Sequence, residues 1–225
     1  MEKMAKNYTI ELTLKSDALI GSGEGYGAII DSDIVFDDLG IPYIPAKRIK
    51  GCLRASADEL SEIFRSAKID YPVKISKTFG CPGQKQATPV YFSNLVIKEY
   101  EKSRKWLEYL TQEYSAILSK ESILSTFTEI RQQTAIDEKE GVADEHSLRT
   151  IRVLKKGLTF SGEVLIEDDS VTKSLALACL NLRHLGTKRN RGFGEVEVKL
   201  LDGANSLSDL ALKELEEVCR SSPIG

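Results

Sequence analysis

Apolar and polar residues alternate strictly over residues 8–14, with Ile10, Leu12 and Leu14 set against Thr9, Glu11 and Thr13. That two-residue period predicts a half-buried strand. A glycine-rich stretch follows at 21–27, then a short apolar run at 34–36 and a turn at Leu39-Gly40. Residues 41–45 read as extended, because each residue before a proline is driven out of the helical region. From Lys47 the period changes. Ile49, Cys52, Leu53, Ala57, Leu60, Ile63 and Phe64 recur every three to four residues, predicting an amphipathic helix of about five turns. Residues 66–89 show little periodicity and read as an irregular insertion. Residues 90–97 read as a strand, and 99–120 as a helix with Trp106, Leu110, Tyr114 and Leu118 on one stripe. Residues 126–156 have β-rich ends around a polar centre, the pattern of a long hairpin. Residues 158–167 predict a strand, 171–185 a second core helix and 193–200 another alternating strand. Leu207, Leu210, Ala211, Leu215 and Val218 mark a C-terminal helix within 203–225.

With the insertions removed, the order is β, α, β, then β, α, β, the split-βαβ or ferredoxin-like arrangement of an α+β fold. Its sheet carries both helices on one face, and RNA-recognition folds use the other face. A fold alone does not assign a function.

Composition narrows the classes. The chain has 225 residues with 31 Lys+Arg and 34 Asp+Glu, a net charge of −3, so basicity of the whole chain argues for no nucleic-acid partner. Only the placement of charge can do that. The four cysteines are far apart, which offers neither a zinc knuckle nor a disulfide framework. No apolar run approaches the ~20 residues of a membrane span, and the first residues lack the features of a signal peptide. The expectation is a cytoplasmic protein with no membrane partner.

Four stretches carry possible chemistry. Residues 44–54, IPAKRIKGCLR, hold Lys47, Arg48, Lys50 and Arg54 and no acidic residue. Positions 47, 50 and 54 share a helix face, and the amides of a helix start add partial positive charge. A sugar-phosphate backbone matches this row, although a solvated helix face also explains the charges. Gly51 favours the first reading: glycine inside a helix costs ~1 kcal/mol against alanine, so its presence predicts that something, such as a backbone, approaches closely. Residues 185–194, LGTKRNRGFG, set Lys188, Arg189 and Arg191 among three glycines, a combination that offers phosphates both backbone amides and cations. The following residues partly match the RNA-recognition signature, but Glu195 and Val198 stand where stacking aromatics are needed. The N-terminal glycines lack the following G-K-[ST] of a nucleotide loop. The nearby carboxylates Asp31, Asp33, Asp37 and Asp38 suit turns, or else a residue that holds Mg2+ or orients a 2′-hydroxyl. Residues 129–156 place cations, Arg131 among them, at the base of the hairpin and carboxylates at its tip. His146 and His184 have no spaced partner for a metal site or a triad, and read as structural.

Taken together, these stretches resemble the RAMP superfamily of CRISPR–Cas effector proteins, most closely the backbone subunit that type III complexes stack along a guide RNA. The likeness rests on residues 30–54, 79–97, 128–153 and 185–198, in that order, and above all on I-P-x-x-x-I-K-G-x-x-R followed by the C-terminal glycine-rich loop. It implies an RRM-like palm over 1–202, with a lid-type insertion near 66–89, a helical insertion near 99–120, a thumb near 126–156 and a C-terminal helix over 203–225. It also implies guide (CRISPR) RNA, target RNA, copies of itself in a filament and other subunits of the type III effector complex as partners. Lys47, Arg48, Lys50, Arg54, Arg131, Lys188, Arg189 and Arg191 would bind RNA. The family's I-D-x-P-V pattern falls on Ile30 to Ile34, which makes Asp31 the catalytic candidate for metal-dependent cleavage of target RNA, with Mg2+ or another divalent cation. Asp33 stands where the pattern has proline, and Ala46, Lys47 and Arg48 replace Gly-Ser-Ser. The resemblance leaves open a non-catalytic scaffold paralogue and a guide-processing endoribonuclease; a generic single-strand RNA binder is a further reading.

Overall fold

The computed structural model describes residues 5–21, 30–81, 83, 88–134 and 148–221. The predicted hairpin tip with His146, and the glycine cluster beyond Gly21, lie outside them.

Strand β1 (Lys6–Leu14) forms as its alternation predicts and is the centre of the main sheet. It pairs antiparallel with β7 (Thr159–Ile166) on one side and β8 (Val196–Asp202) on the other. Three short strands, β2 (Tyr43–Ile44), β3 (Val90–Phe92) and β4 (Leu95–Ile97), extend the β7 edge, and β9 (Asn205–Ser206) folds back on β8. The order β8-β1-β7-β4 is the ferredoxin-like order. Residues 90–97, expected as one strand, are two strands broken at Ser93-Asn94. There Asn94 Oδ1 accepts the amide of Ala46 at 2.9 Å, where the first long helix begins.

That helix, α1 (Ala46–Ser66), buries Ile49, Leu53, Ala57, Leu60 and Phe64, the predicted stripe, while Ile63 stays exposed. It stops where Lys68 turns to φ +56° and Ile69 N donates back to Phe64 O at 2.9 Å. A short helix, α2 (Ile75–Phe79), lies within the first insertion. The second core helix, α5 (Thr172–Asn181), is shorter than the expected 171–185. It lies against α1, β8 and the C-terminal α6 (Leu207–Ser221), so Leu175 to Cys179 are all buried. Ser208 Oγ of α6 donates to Ala176 O at 3.0 Å, tying the C-terminal helix into the same layer.

The two core helices cover the sheet face formed by Ile10, Leu12, Leu14, Phe160, Val164, Val198 and Leu200. Burial of each such side chain contributes about 1.5–3 kcal/mol. On the opposite face β1, β7 and β8 present Thr9, Glu11, Thr13, Ser161, Glu163, Glu197 and Lys199. Acidic and without aromatics on these three strands, this face is no platform for bases.

The helical insertion also departs from expectation. It forms α3 (Tyr100–Glu113) and α4 (Lys120–Phe127). No residue of α3 is buried, and Trp106 is 60% exposed. Helix α4 runs into β5 (Thr128–Gln133), which pairs with β6 (Arg149–Leu154) as a separate two-stranded ribbon, the base of the predicted thumb.

Candidate nucleic-acid interface

The ribbon is planted firmly. Thr128 Oγ1 donates to Leu124 O at 2.8 Å, Lys155 Nζ to Ser125 O at 2.8 Å, and Leu154 and Ala18 exchange backbone hydrogen bonds. Residues 31–32 run parallel beside β6. Asp31 N donates to Thr150 O at 2.9 Å, and Asp31 Oδ2 accepts the Thr150 amide at 2.7 Å. Asp33 then turns inward to a buried pair with Arg152, 2.9 Å, whose other nitrogen reaches Glu121 at 2.5 Å. Burial pushes the Asp33 carboxyl above its ordinary range, against the Ile34 amide and Arg152, which hold it down.

The four candidate carboxylates thus separate. Asp37 Oδ1 accepts the amides of Leu39 and Ile41, and its Oδ2 accepts from Tyr100 and Arg104. Asp38 pairs with Arg104 at 2.8 Å, which holds its carboxyl below the usual range. Both fasten α3 to the turn. Asp31 remains at the surface.

The Gly/Arg loop is built by backbone contact. Leu185 N donates to Gly194 O at 2.7 Å, Val196 N to Arg183 O at 2.8 Å, and Gly194 N to Asp17 O at 2.8 Å. A Cβ on Gly194 would lie 2.0 Å from Leu185 O, and one on Gly186 2.4 Å from Leu19 O. These two glycines let chain segments touch, and the Gly194 amide is taken up by Asp17 O. His184, expected inside the second core helix, lies in the extended arm of this loop and bridges to Glu195. At Gly51 a Cβ would meet nothing within 4 Å, and the residue opens onto a hollow.

The predicted cations fall into three places. Lys188, at φ +59°, reaches the thumb base, where its Nζ donates to Gln133 Oε1. Burial, then Arg191 and Arg149, push its ammonium below the ordinary range, while Asp31 pulls the other way. Lys188 thus stands beside the Gln133–Arg149 pair of the thumb base, one residue from the Thr150 that holds Asp31. Arg48 of α1 and Arg189 of the loop meet at Cys52, whose thiol burial pushes up and these two charges pull down. Cys52 and Arg189 border a hollow of about 570 Å³ that Gly51, Glu59, Asn181 and His184 also line. Lys47 and Lys50 instead line a second hollow, and Arg191 a third with Lys155, Lys156 and Phe193. The two basic stretches meet across that hollow, Gly51 and Cys52 on one side and Arg189 on the other, while Lys50 and Arg191 line separate hollows. Arg54 is half-buried further along α1. Arg131 pairs with Asp17 and Glu129 and lies over the Phe193 ring at 5.8 Å, bracing the thumb.

Sequence reasoning did not single out Arg149 as a site residue. The hairpin register, Gln133 opposite Arg149, is the signal that could have done so.

A divalent cation needs several oxygen ligands. Among the described residues no group of three His, Cys, Asp or Glu side chains comes together. These residues do not fit a metal held by protein alone.

This architecture is that of an α+β palm with a protruding ribbon and a basic seam between them. The sequence profile of the RAMP superfamily matches residues 11–197, and the chain belongs to that superfamily. No curated protein matches it. Among solved structures, a chain of the apo type III-B Cmr-beta complex is 15% identical at a TM-score of 0.61, covering 87% of this chain and 97% of that one. A chain of Cmr-beta bound to cognate target RNA is 15% identical at a TM-score of 0.62, covering 96% and 98%. At that identity the likeness is one of fold. No described helix is long and apolar enough to cross a membrane.

Proposed function

We propose that this chain is a guide-RNA-lining backbone subunit of a type III CRISPR effector complex, acting in a filament of its own copies, and that it cuts the paired target RNA. The observation that carries the reading is the meeting of the Gly/Arg loop with the thumb base: Lys188 donates to Gln133, which pairs with Arg149, and Asp31 is held at the next residue, Thr150. Like charges repel, and a ribose-phosphate strand relieves that repulsion by displacing counterions. Arg48 and Arg189 continue the path onto α1.

In the cleavage step a 2′-hydroxyl attacks the adjacent phosphorus. The new bond forms from the 2′-oxygen, the bond to the 5′-oxygen breaks, and the products are a 2′,3′-cyclic phosphate and a 5′-hydroxyl. The proton lost by one oxygen is matched by the proton gained by the other. Asp31, with one oxygen fixed by the Thr150 amide, orients the attacking hydroxyl with the other. The surrounding cations stabilise charge on the phosphorane. A non-catalytic scaffold is the second reading, favoured by the bond from Asp31 to Thr150, which by itself is a structural role. In an assembled complex with other nucleases blocked, Asp31→Ala is expected to abolish target cutting with guide binding retained. Undiminished cutting removes Asp31 from the mechanism and leaves the scaffold.

A further inference from the structure

What holds residues 31–33 beside β6 decides where Asp31 stands. Asp31 N donates to Thr150 O at 2.9 Å and Arg152 N to Ser32 O at 3.1 Å, with Ser32 opposite Ile151. Ile30 and Ile34, at the two ends, are buried. Between them Asp33 is 2% exposed. Its Oδ2 accepts from the Arg152 guanidinium at 2.9 Å, and its Oδ1 accepts the Ile34 amide at 2.7 Å. The other guanidinium nitrogen donates to Glu121 Oε1 of α4 at 2.5 Å. Stability does not explain a charged pair in such a place, because apolar side chains of the same volume serve as well or better. The best-attested use of such a pair is to fix one register against its alternatives.

Register is what this short segment needs. A slip of one residue turns every side chain of a paired segment to the other face. It would part Asp33 from Arg152 and leave a buried guanidinium without its buried carboxylate. Once Asp33 is neutral, Asp31 is the segment's remaining carboxylate, two residues away on the same side of an extended chain, and the buried cation draws it inward. We infer that Asp33 and Arg152 are positioning residues for Asp31: their buried ion pair locks the register of residues 31–33 against β6 and keeps the Asp31 carboxylate at the surface beside the Thr150 amide. The inference rests on the reading that Asp31 acts on target RNA. Both residues are buried and act only through Asp31.

Asp33→Asn keeps the shape of the side chain and removes its charge. Two readouts are taken on it. The first is hydrogen exchange of the Thr150 amide in the full-length chain, which requires no cutting. That amide donates to Asp31 Oδ2, and its exchange is expected to speed up about tenfold while the amides of β1 keep their protection. The second is single-turnover cutting of target RNA in the assembled complex with other nucleases blocked. It is expected to slow about a hundredfold, with guide and target affinity unchanged. A pair that only stabilises the fold would leave that rate alone. Asp33→Leu combined with Arg152→Met fills the site with apolar side chains, which restores stability but not the lock; this double variant should unfold like the parent and still cut slowly. A Thr150 amide that exchanges at the parent's rate in Asp33→Asn, or a stable double variant that cuts at the parent's rate, overturns the lock. Undiminished cutting by Asp31→Ala overturns the catalytic reading instead, and exchange at Thr150 then still decides whether the register is locked.

Discussion

Gly192 and Gly194 share a left-handed backbone, φ +77° and +76°, but not a neighbourhood. Around Gly192 a Cβ meets nothing within 4 Å, whereas at Gly194 it would press on Leu185 O. Alanine at either position carries the conformational cost of about 1–2 kcal/mol, and only at Gly194 does the clash add to it. Chemical denaturation should therefore rank Gly194→Ala well below Gly192→Ala in stability; equal values would mean that the loop does not close on Leu185. The Arg152 guanidinium poses a different problem. Its side chain is 4% exposed and holds Asp33 and Glu121 together. Removing one partner of a buried pair costs about 3–5 kcal/mol, so Arg152→Ala should lower unfolding stability by that order. A loss below about 1 kcal/mol would show that the pair is not buried in solution. Little of this was legible beforehand. In the linear sequence Asp33 stands beside Asp31, and nothing local distinguishes the carboxylate that is buried from the one left at the surface. The partner that decides it lies 119 residues away.

Among the elements, those buried on one side were the ones the sequence announced. β1 and α1 lie on a single apolar surface, so their periods of two and of three to four residues appear cleanly. Leu53→Ala, at a fully buried position of α1, should cost about 2–5 kcal/mol. Trp106→Ala on α3 should change unfolding stability by less than about 0.5 kcal/mol, because that residue is exposed. A large loss at Trp106 would restore the buried stripe that the spacing of residues 106, 110, 114 and 118 first implied. The end of α5 was misjudged for a physical reason. Leu182 and Leu185 continue the apolar pattern past Asn181 and are buried, but in an extended arm paired with residues 194–196. Periodicity reports burial, and in this stretch burial did not distinguish a helix from an extended chain.

For the whole molecule, a net charge of −3 conceals a segregated surface. The open face of the sheet carries Glu11, Glu163 and Glu197, while the thumb base and the Gly/Arg loop gather Arg149, Lys188 and Arg191. Both basic stretches could be read in the chain as clusters. Their meeting point could not, because Arg48 and Arg189 come together only when α1 and the loop after α5 are folded side by side. The central claim, that this seam grips a ribose-phosphate strand, is tested most directly by the salt dependence of binding to single-stranded RNA. Each phosphate neutralised contributes about 0.7 to the slope of log affinity against log salt. The combined substitution Arg149→Ala, Lys188→Ala and Arg191→Ala should weaken binding and flatten that slope by about 2. A slope and an affinity unchanged by the loss of all three charges would contradict the account.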